Sequence, residues 1–196
     1  MFKILLRLLL VLLVVWLGLT IWVNLKGPSA NWDYGQPRSG FRAMIVFDPD
    51  PIYDLDLQLC REFALVLESK GWFVKVMTVR YAEQMETSHP DLWVLCANTY
   101  NWQPDRSIRG FLKNTELADQ AVVAITLGAG STANAQNGFE KLINMAGARL
   151  IHSSAYWLLR PNDENKRREN NVEAAKAQVR RRAAQLADSL FMHKPL

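Results

Sequence analysis

The sequence predicts an α/β domain, a three-layer sandwich around a five-stranded parallel sheet, preceded by one transmembrane helix. Three observations predict it. Short apolar runs alternate with longer helical patterns from residue 41 onward, two of those runs are apolar throughout, and one unbroken apolar stretch stands at the amino terminus.

The amino-terminal stretch from Ile4 to Val23 carries a single charge, Arg7. About 20 helical residues rising roughly 1.5 Å each reach roughly 30 Å, the thickness of a bilayer's hydrocarbon layer. A cleaved signal peptide would have an apolar core of about 7 to 15 residues and a small-x-small cleavage site. This run is longer, and Pro28 interrupts the small residues Gly27 to Ala30. A buried core helix is the other alternative, against which Trp16, Trp22 and Lys26 stand as interfacial anchors. Residues 1–25 are therefore read as a single-pass anchor through residues 4–23, expected in a bacterial inner membrane. Lys3 and Arg7 on one flank are balanced by Lys26, Arg38 and Arg42 on the other, so loop charge leaves orientation open. The two cysteines, Cys60 and Cys96, form no CxxC pair and sit in apolar elements. They read as buried thiols, compatible with a cytoplasmic domain, which is the placement expected here.

Residues 26–40, rich in glycine, proline and serine, read as a linker, 41–190 as the domain and 191–196 as a tail. The first strand is Ala43 to Phe47. A helix follows over Leu55 to Ser69, where Leu55, Leu59, Phe63 and Leu67 recur every four positions, Asp54 is placed to cap and Gly71 to terminate. Trp72 to Val79 alternates as an outer strand would. Only about a dozen residues separate it from the next strand, so the second helix is a turn or two, or absent. Leu92 to Ala97 and Ala121 to Leu127 are continuous apolar runs, the mark of central strands buried on both faces. Ser107 to Asn114 and Asn134 to Ala146 are helices, the latter ending before Gly147. Arg149 to Ser153 is a weaker fifth strand, and a long helix covers roughly Glu164 to Leu190.

In a doubly wound sheet the ligand site lies at the carboxyl ends of the strands. Three loops matter there: Asp48 to Asp54, Asn98 to Arg106, and Gly128 to Asn134. The segment Ala97-Asn98-Thr99-Tyr100-Asn101-Trp102-Gln103-Pro104 leaves a buried strand for a helix containing Phe111-Leu112. Leu127-Gly128-Ala129-Gly130-Ser131 ends the next strand, and Ala146-Gly147-Ala148 enters the fifth. In order and spacing these segments resemble the flavodoxin and NAD(P)H:quinone reductase superfamily over about residues 41–190, with Asn98 where that family has proline; the resemblance implies a flavodoxin-like sandwich with strand order 2-1-3-4-5. The resemblance implies an FMN site in which Tyr100 and Trp102 stack on the isoalloxazine, while Asn98, Thr99, Asn101 and the turn Gly128, Ala129, Gly130 and Ser131 meet its polar edge. It implies no catalytic side chain, because the cofactor carries the chemistry.

One loop departs from that pattern. Flavodoxins seat the flavin phosphate after the first strand on hydroxyls and backbone N–H groups at a helix N-terminus. Here the loop is Asp48-Pro49-Asp50-Pro51-Ile52-Tyr53-Asp54, without glycine, serine or threonine. Two prolines remove donors and the carboxylates oppose a dianion. The readings left open are FMN held through other contacts, with Arg106 and Arg109 neutralising it; a non-catalytic interaction module that has lost FMN; and a divalent cation on Asp48, Asp50 and Asp54.

His89, His152 and His193 form no ligand pair, so no metal site is expected. His152 reads as a strand residue with a satisfied ring. The last helix carries Lys166, Arg167, Arg168, Lys176, Arg180, Arg181 and Arg182, interleaved with Glu164, Glu169, Glu173 and Asp188. That is a solvated face or a surface for anionic lipid; nucleic acid is not expected, because no aromatic residues interleave with the basic ones on that helix. The expected function is therefore a membrane-anchored, FMN-binding redox protein, an NAD(P)H:acceptor oxidoreductase passing electrons to a quinone or a membrane partner. The alternative is the flavin-free interaction module.

Overall fold

The structure, a computed structural model, describes residues 2–85, 89–164 and 170–192. Helix α1, Phe2–Val23, runs 22 residues with none buried. The parallel strands are β2 Phe41–Phe47, β3 Trp72–Thr78, β4 Leu92–Tyr100, β6 Ala121–Gly128 and β7 Arg149–Trp157. They lie side by side as β3-β2-β4-β6-β7, which is the predicted order 2-1-3-4-5.

Two antiparallel strands extend the sheet to seven. Strand β1, Asn31–Tyr34, falls in the segment read as linker and pairs with β3 from Asn31 opposite Met77 to Tyr34 opposite Val74. The segment is stitched to the domain, with Ala30 N–H donating to Thr78 Oγ1 at 3.0 Å and Trp32 stacked on Phe47 at 6.3 Å. Four residues between glycines and prolines give too short an alternation to register as a strand. Strand β5, Gln103–Pro104, folds back on the end of β4. Asn98 to Tyr100 are therefore strand residues, not loop.

Helices α2, Leu55–Ser69, and α6, Asn171–Met192, cover one face; α3 Val79–Ala82, α4 Arg106–Asn114 and α5 Ala133–Met145 cover the other. Trp72, Phe63, Leu59 and Leu67 close the first face, and Phe139, Ile108 and Leu117 the second, all essentially inaccessible. Each contributes about 1.5–3 kcal/mol by leaving water. The helix after β3 is a single turn. Gly71 and Gly147 end their helices at φ +81° and +73°, the left-handed conformation glycine accepts without penalty.

Three local expectations need correction. Asp54 precedes α2 but does not cap it; its carboxylate accepts from Gln58 Nε2 at 2.7 Å instead. Strand β7 runs four residues beyond Ser153, and as an edge strand with a register shift opposite Val122–Val123 it needs no continuous apolar pattern. Helix α6 begins at Asn171, not near Glu164. The Asn171 amide donates to the carbonyls of Trp157, Leu158 and Arg160 at 2.7–2.9 Å, and this tie fixes the loop after β7. Lys166, Arg167, Arg168, Glu169 and His193 lie outside the described residues.

Candidate functional site

Strand β2 ends directly in Asp48, and the loop beyond it turns its donors inward. Pro49 and Pro51 have no N–H. The amides of Ile52 and Tyr53 both donate to Asp50 Oδ1, at 2.7 and 2.9 Å. Asp50 N–H donates to Asp56 Oδ2 at 2.6 Å, and Leu57 N–H to Asp56 Oδ1 at 2.7 Å. Successive amides pointing at one anion make a nest of the kind that holds phosphate. Here the anion in it is the protein's own Asp50 carboxylate, whose other oxygen accepts from Tyr100 Oη at 2.6 Å. Burial, then the Asp50 contact, raises the Tyr100 pKa, so the phenol stays a donor.

Beneath this nest lie three buried carboxyls, Asp48, Asp56 and Asp105. Asp105 caps α4 by accepting from Ile108 N–H at 2.8 Å, and its second oxygen accepts from Asn98 N–H at 3.0 Å. The Asn98 side-chain amide donates to Asp56 Oδ2 and to the Asp48 carbonyl, both at 3.0 Å. Burial pushes the Asp105 carboxyl up to about 7 and that of Asp56 up to about 6, and it also raises Asp48. A proline at position 98 would supply neither the backbone N–H nor the side-chain amide. The departure at Asn98 and the acidic loop are one hydrogen-bonded unit.

The third loop is shaped by a close approach. A Cβ on Gly128 would lie 2.7 Å from Thr132 Cγ2 and 3.2 Å from Thr99 Cβ. Gly128→Ala should therefore lower stability by about 1–3 kcal/mol through overpacking, checked by thermal melting against wild type. The carbonyls of Gly128 and Ala129 accept from the amides of Leu158 and Leu159 at 3.0 and 2.9 Å, and Trp157 Nε1 donates to Thr132 Oγ1 at 2.9 Å.

Asn98, Thr99, Tyr100, Gly128 and Ala129 line one cleft of about 150 Å³, together with Asp50 and Leu158. Thr99 Oγ1 is buried there without a partner. The other predicted residues go elsewhere. Asn101 and Trp102 form the tip of the β4–β5 hairpin at φ +50° and +59°. Trp102, 62% exposed, lines a separate groove of about 520 Å³ with Arg109 and Leu142. Gly130 faces Arg160, and Ser131 is exposed. The two aromatics read as a pair are thus parted by the hairpin. Asp56 and Asp105 have no role assigned from sequence, and Asp50 reads there only as a carboxylate opposing phosphate or as a cation ligand; Asp105, directly before a helix, carries the ordinary N-cap signal. Among the described residues no group of three ligand-type side chains gathers for a metal, and Asp48, Asp50 and Asp54 spend their oxygens on protein donors. His152, expected with a satisfied ring, has its Nε2 buried without a partner, and burial lowers its pKa.

The fold recurs in solved structures. An archaeal flavodoxin superposes with a TM-score of 0.58 at 9% identity, covering 77% of this chain and 99% of that one. The fold is flavodoxin-like. A flavodoxin-like WrbA relative from Agrobacterium tumefaciens gives 0.53 at 11% identity, covering 79% and 100%. The rubredoxin oxygen:oxidoreductase of Desulfovibrio gigas gives 0.57 at 13%, over 77% of this chain and 36% of its own. No protein-family profile and no curated protein sequence matches the chain.

The flavodoxin-like rim allows a direct test of FMN against the residues present. The cleft is about half the roughly 300 Å³ at which ligand pockets begin. The amides that would meet the phosphate already hold Asp50. The loop does not fit FMN in the family's manner.

Proposed function

We propose that this chain is a membrane-tethered, flavodoxin-like interaction module whose carboxyl rim is a docking surface, not a seat for FMN. The observation that carries this reading is the Asp50 carboxylate occupying the nest formed by Ile52 N–H and Tyr53 N–H. A phosphate dianion there meets a like charge in place of free donors. Helix α1 supports the tether by its 22-residue length, its lack of buried residues and its apolar composition.

One observation favours the redox reading. The unpartnered Thr99 hydroxyl faces the cleft between Tyr100 and Gly128, where the polar edge of a flavin ring would find a donor. In that reading the ring alone is held, and electrons pass between reduced nicotinamide and a quinone or a membrane partner. The full-length protein purified in detergent separates the two. The module is expected to be colourless and to leave the fluorescence of added FMN and riboflavin unquenched. Flavin absorbance in the purified protein, or equal binding of both flavins, would establish the ring-binding reading in its place.

A further inference from the structure

The exposed large apolar side chains outside α1 are not scattered. Among the described residues they are Leu25, Ile52, Tyr53, Leu65, Trp102, Met145 and Leu159. Five of the seven sit at one end of the domain. Ile52 and Tyr53 are in the loop after β2, Trp102 is at the hairpin tip after β4, Leu159 follows β7, and Leu25 is at the root of α1. Exposed apolar groups clustered on one rim mark an interaction surface, whereas single ones need no explanation.

The root of α1 is fastened to that same rim. Asn24 Oδ1 accepts from Arg106 N–H at 3.3 Å, and Gly27 N–H donates to Asp48 Oδ1 at 2.9 Å. Arg80 donates to the Lys26 carbonyl at 3.0 Å. Between the last turn of α1 and the start of α4 lies a cleft of about 430 Å³, walled by Thr20, Asn24, Tyr100, Gln103, Arg106 and Arg109. The buried Nε of Arg109 has no protein acceptor.

The charge facing outward at this end is basic. Arg106 and Arg109 line the cleft, and Arg160 lies over the Trp157 ring at 4.7 Å. The acids are turned in or paired: Asp48, Asp56 and Asp105 are buried, Asp50 sits in its nest, and Glu83 pairs with Lys26. Asp54, bonded to the Gln58 amide, and Glu164, in the loop after β7, are exposed carboxylates at this end, set against the three arginines.

We propose that this rim docks on the bilayer through which α1 passes, with Trp102, Ile52, Tyr53 and Leu159 in the headgroup layer and the Arg106–Arg109 cleft holding the phosphate of an anionic phospholipid. The proposal rests on the anchoring reading of α1 and names the partner of the docking surface. Residues 20–25 leave the hydrocarbon at the depth where lipid phosphates lie. Tryptophan prefers that layer, arginine pairs with phosphate oxygens, and basic residues close to an anionic surface are drawn to it.

The test uses the full chain in liposomes of phosphatidylcholine, with and without phosphatidylglycerol, carrying a doxyl quencher at the headgroup or along the acyl chain. Cys60 and Cys96 are fully buried, so single variants take an environment-sensitive thiol label selectively. Val15→Cys reports the span; Asn101→Cys, which leaves Trp102 in place, and Leu159→Cys report the rim. Met145→Cys, 82% exposed at the far end of α5, is the reference. Expected is acyl-chain quenching at position 15, and headgroup quenching at 101 and 159 about twofold or more above that at 145. Arg106→Gln with Arg109→Gln should return rim quenching in phosphatidylglycerol to the level in phosphatidylcholine alone. Quenching at 15 with positions 101 and 159 matching 145 would overturn the docking and leave the anchor standing, pointing to a protein partner or second copy on the rim. No quenching at 15 would remove the anchor and the docking together. Rim quenching indifferent to both lipid charge and the arginine pair would remove the headgroup site.

Discussion

Asp50→Ser in the full-length protein is expected to raise FMN affinity by about tenfold to a hundredfold, while riboflavin binding stays as it was. The substitution frees the amides of Ile52 and Tyr53 and the hydroxyl of Tyr100, all of which now point at the Asp50 carboxylate. It adds a hydroxyl donor and removes a negative charge from the place a phosphate would occupy. A like-charge contact at about 4 Å costs a few kcal/mol in partly screened surroundings, and about 1.4 kcal/mol corresponds to tenfold in affinity. Part of that gain goes to reordering a loop that loses its internal carboxylate bonds, so the lower end of the range is retained. Asp54→Asn is the control. Its carboxylate is exposed and solvent-screened, and it should change FMN affinity by less than about threefold. Flavin fluorescence titration in detergent reads all three proteins. Equal FMN affinities in Asp50→Ser and wild type would mean that something other than the filled nest keeps FMN out.

How much of this was legible in the sequence depended on whether a feature was local. Leu92 to Ala97 and Ala121 to Leu127 read as central strands because burial on both faces demands unbroken apolar runs. The helix from Leu55 to Ser69 read cleanly because its apolar spacing and Gly71 are features of that segment alone. The alternation and crossover handedness gave a doubly wound sheet, and the order of its parallel strands came from the resemblance of the loop segments. Strand β1 escaped because its four residues are specified by β3 and by the face of Phe47, far along the chain. The acidic loop was legible as a failed phosphate cradle; that Asp50 fills the nest itself depends on where Tyr100 lies in space. Asn98 read as an isolated departure from a family pattern. Its reason is visible only with Asp56 and Asp105 beside it, two positions 42 and 7 residues away. Tyr100 and Trp102 read as a pair on one ring because both lie in the segment after the third predicted strand. The backbone turns over at Asn101 with positive φ, so the two rings point into different clefts.

The buried acids give the second large effect, a stability that falls as pH rises. Asp105 and Asp56 have folded-state values near 7 and 6, against about 3.9 for an unfolded aspartate. Below about pH 4 both states carry the protons, and the full stability is present. Between about pH 4 and pH 7 the folded chain retains protons that the unfolded chain has released, so stability declines with pH; above about pH 7 both are ionised and the decline stops. Each unit of displacement corresponds to about 1.4 kcal/mol, which makes the total loss on the order of 5–7 kcal/mol. His152, half-buried, acts oppositely, since its lowered value removes stability as pH falls. Urea denaturation of the full chain in detergent should therefore give a higher midpoint at pH 5 than at pH 8. Asp105→Asn should lie below wild type at pH 5, because the Asn98 N–H loses its acceptor, and should show a shallower pH dependence. A midpoint that rises from pH 5 to pH 8 would mean that these carboxyls are ionised and compensated in the fold. In that case the Asn98 amide and the helix cap would be holding charges, and the rim would present a far more acidic face to whatever it meets.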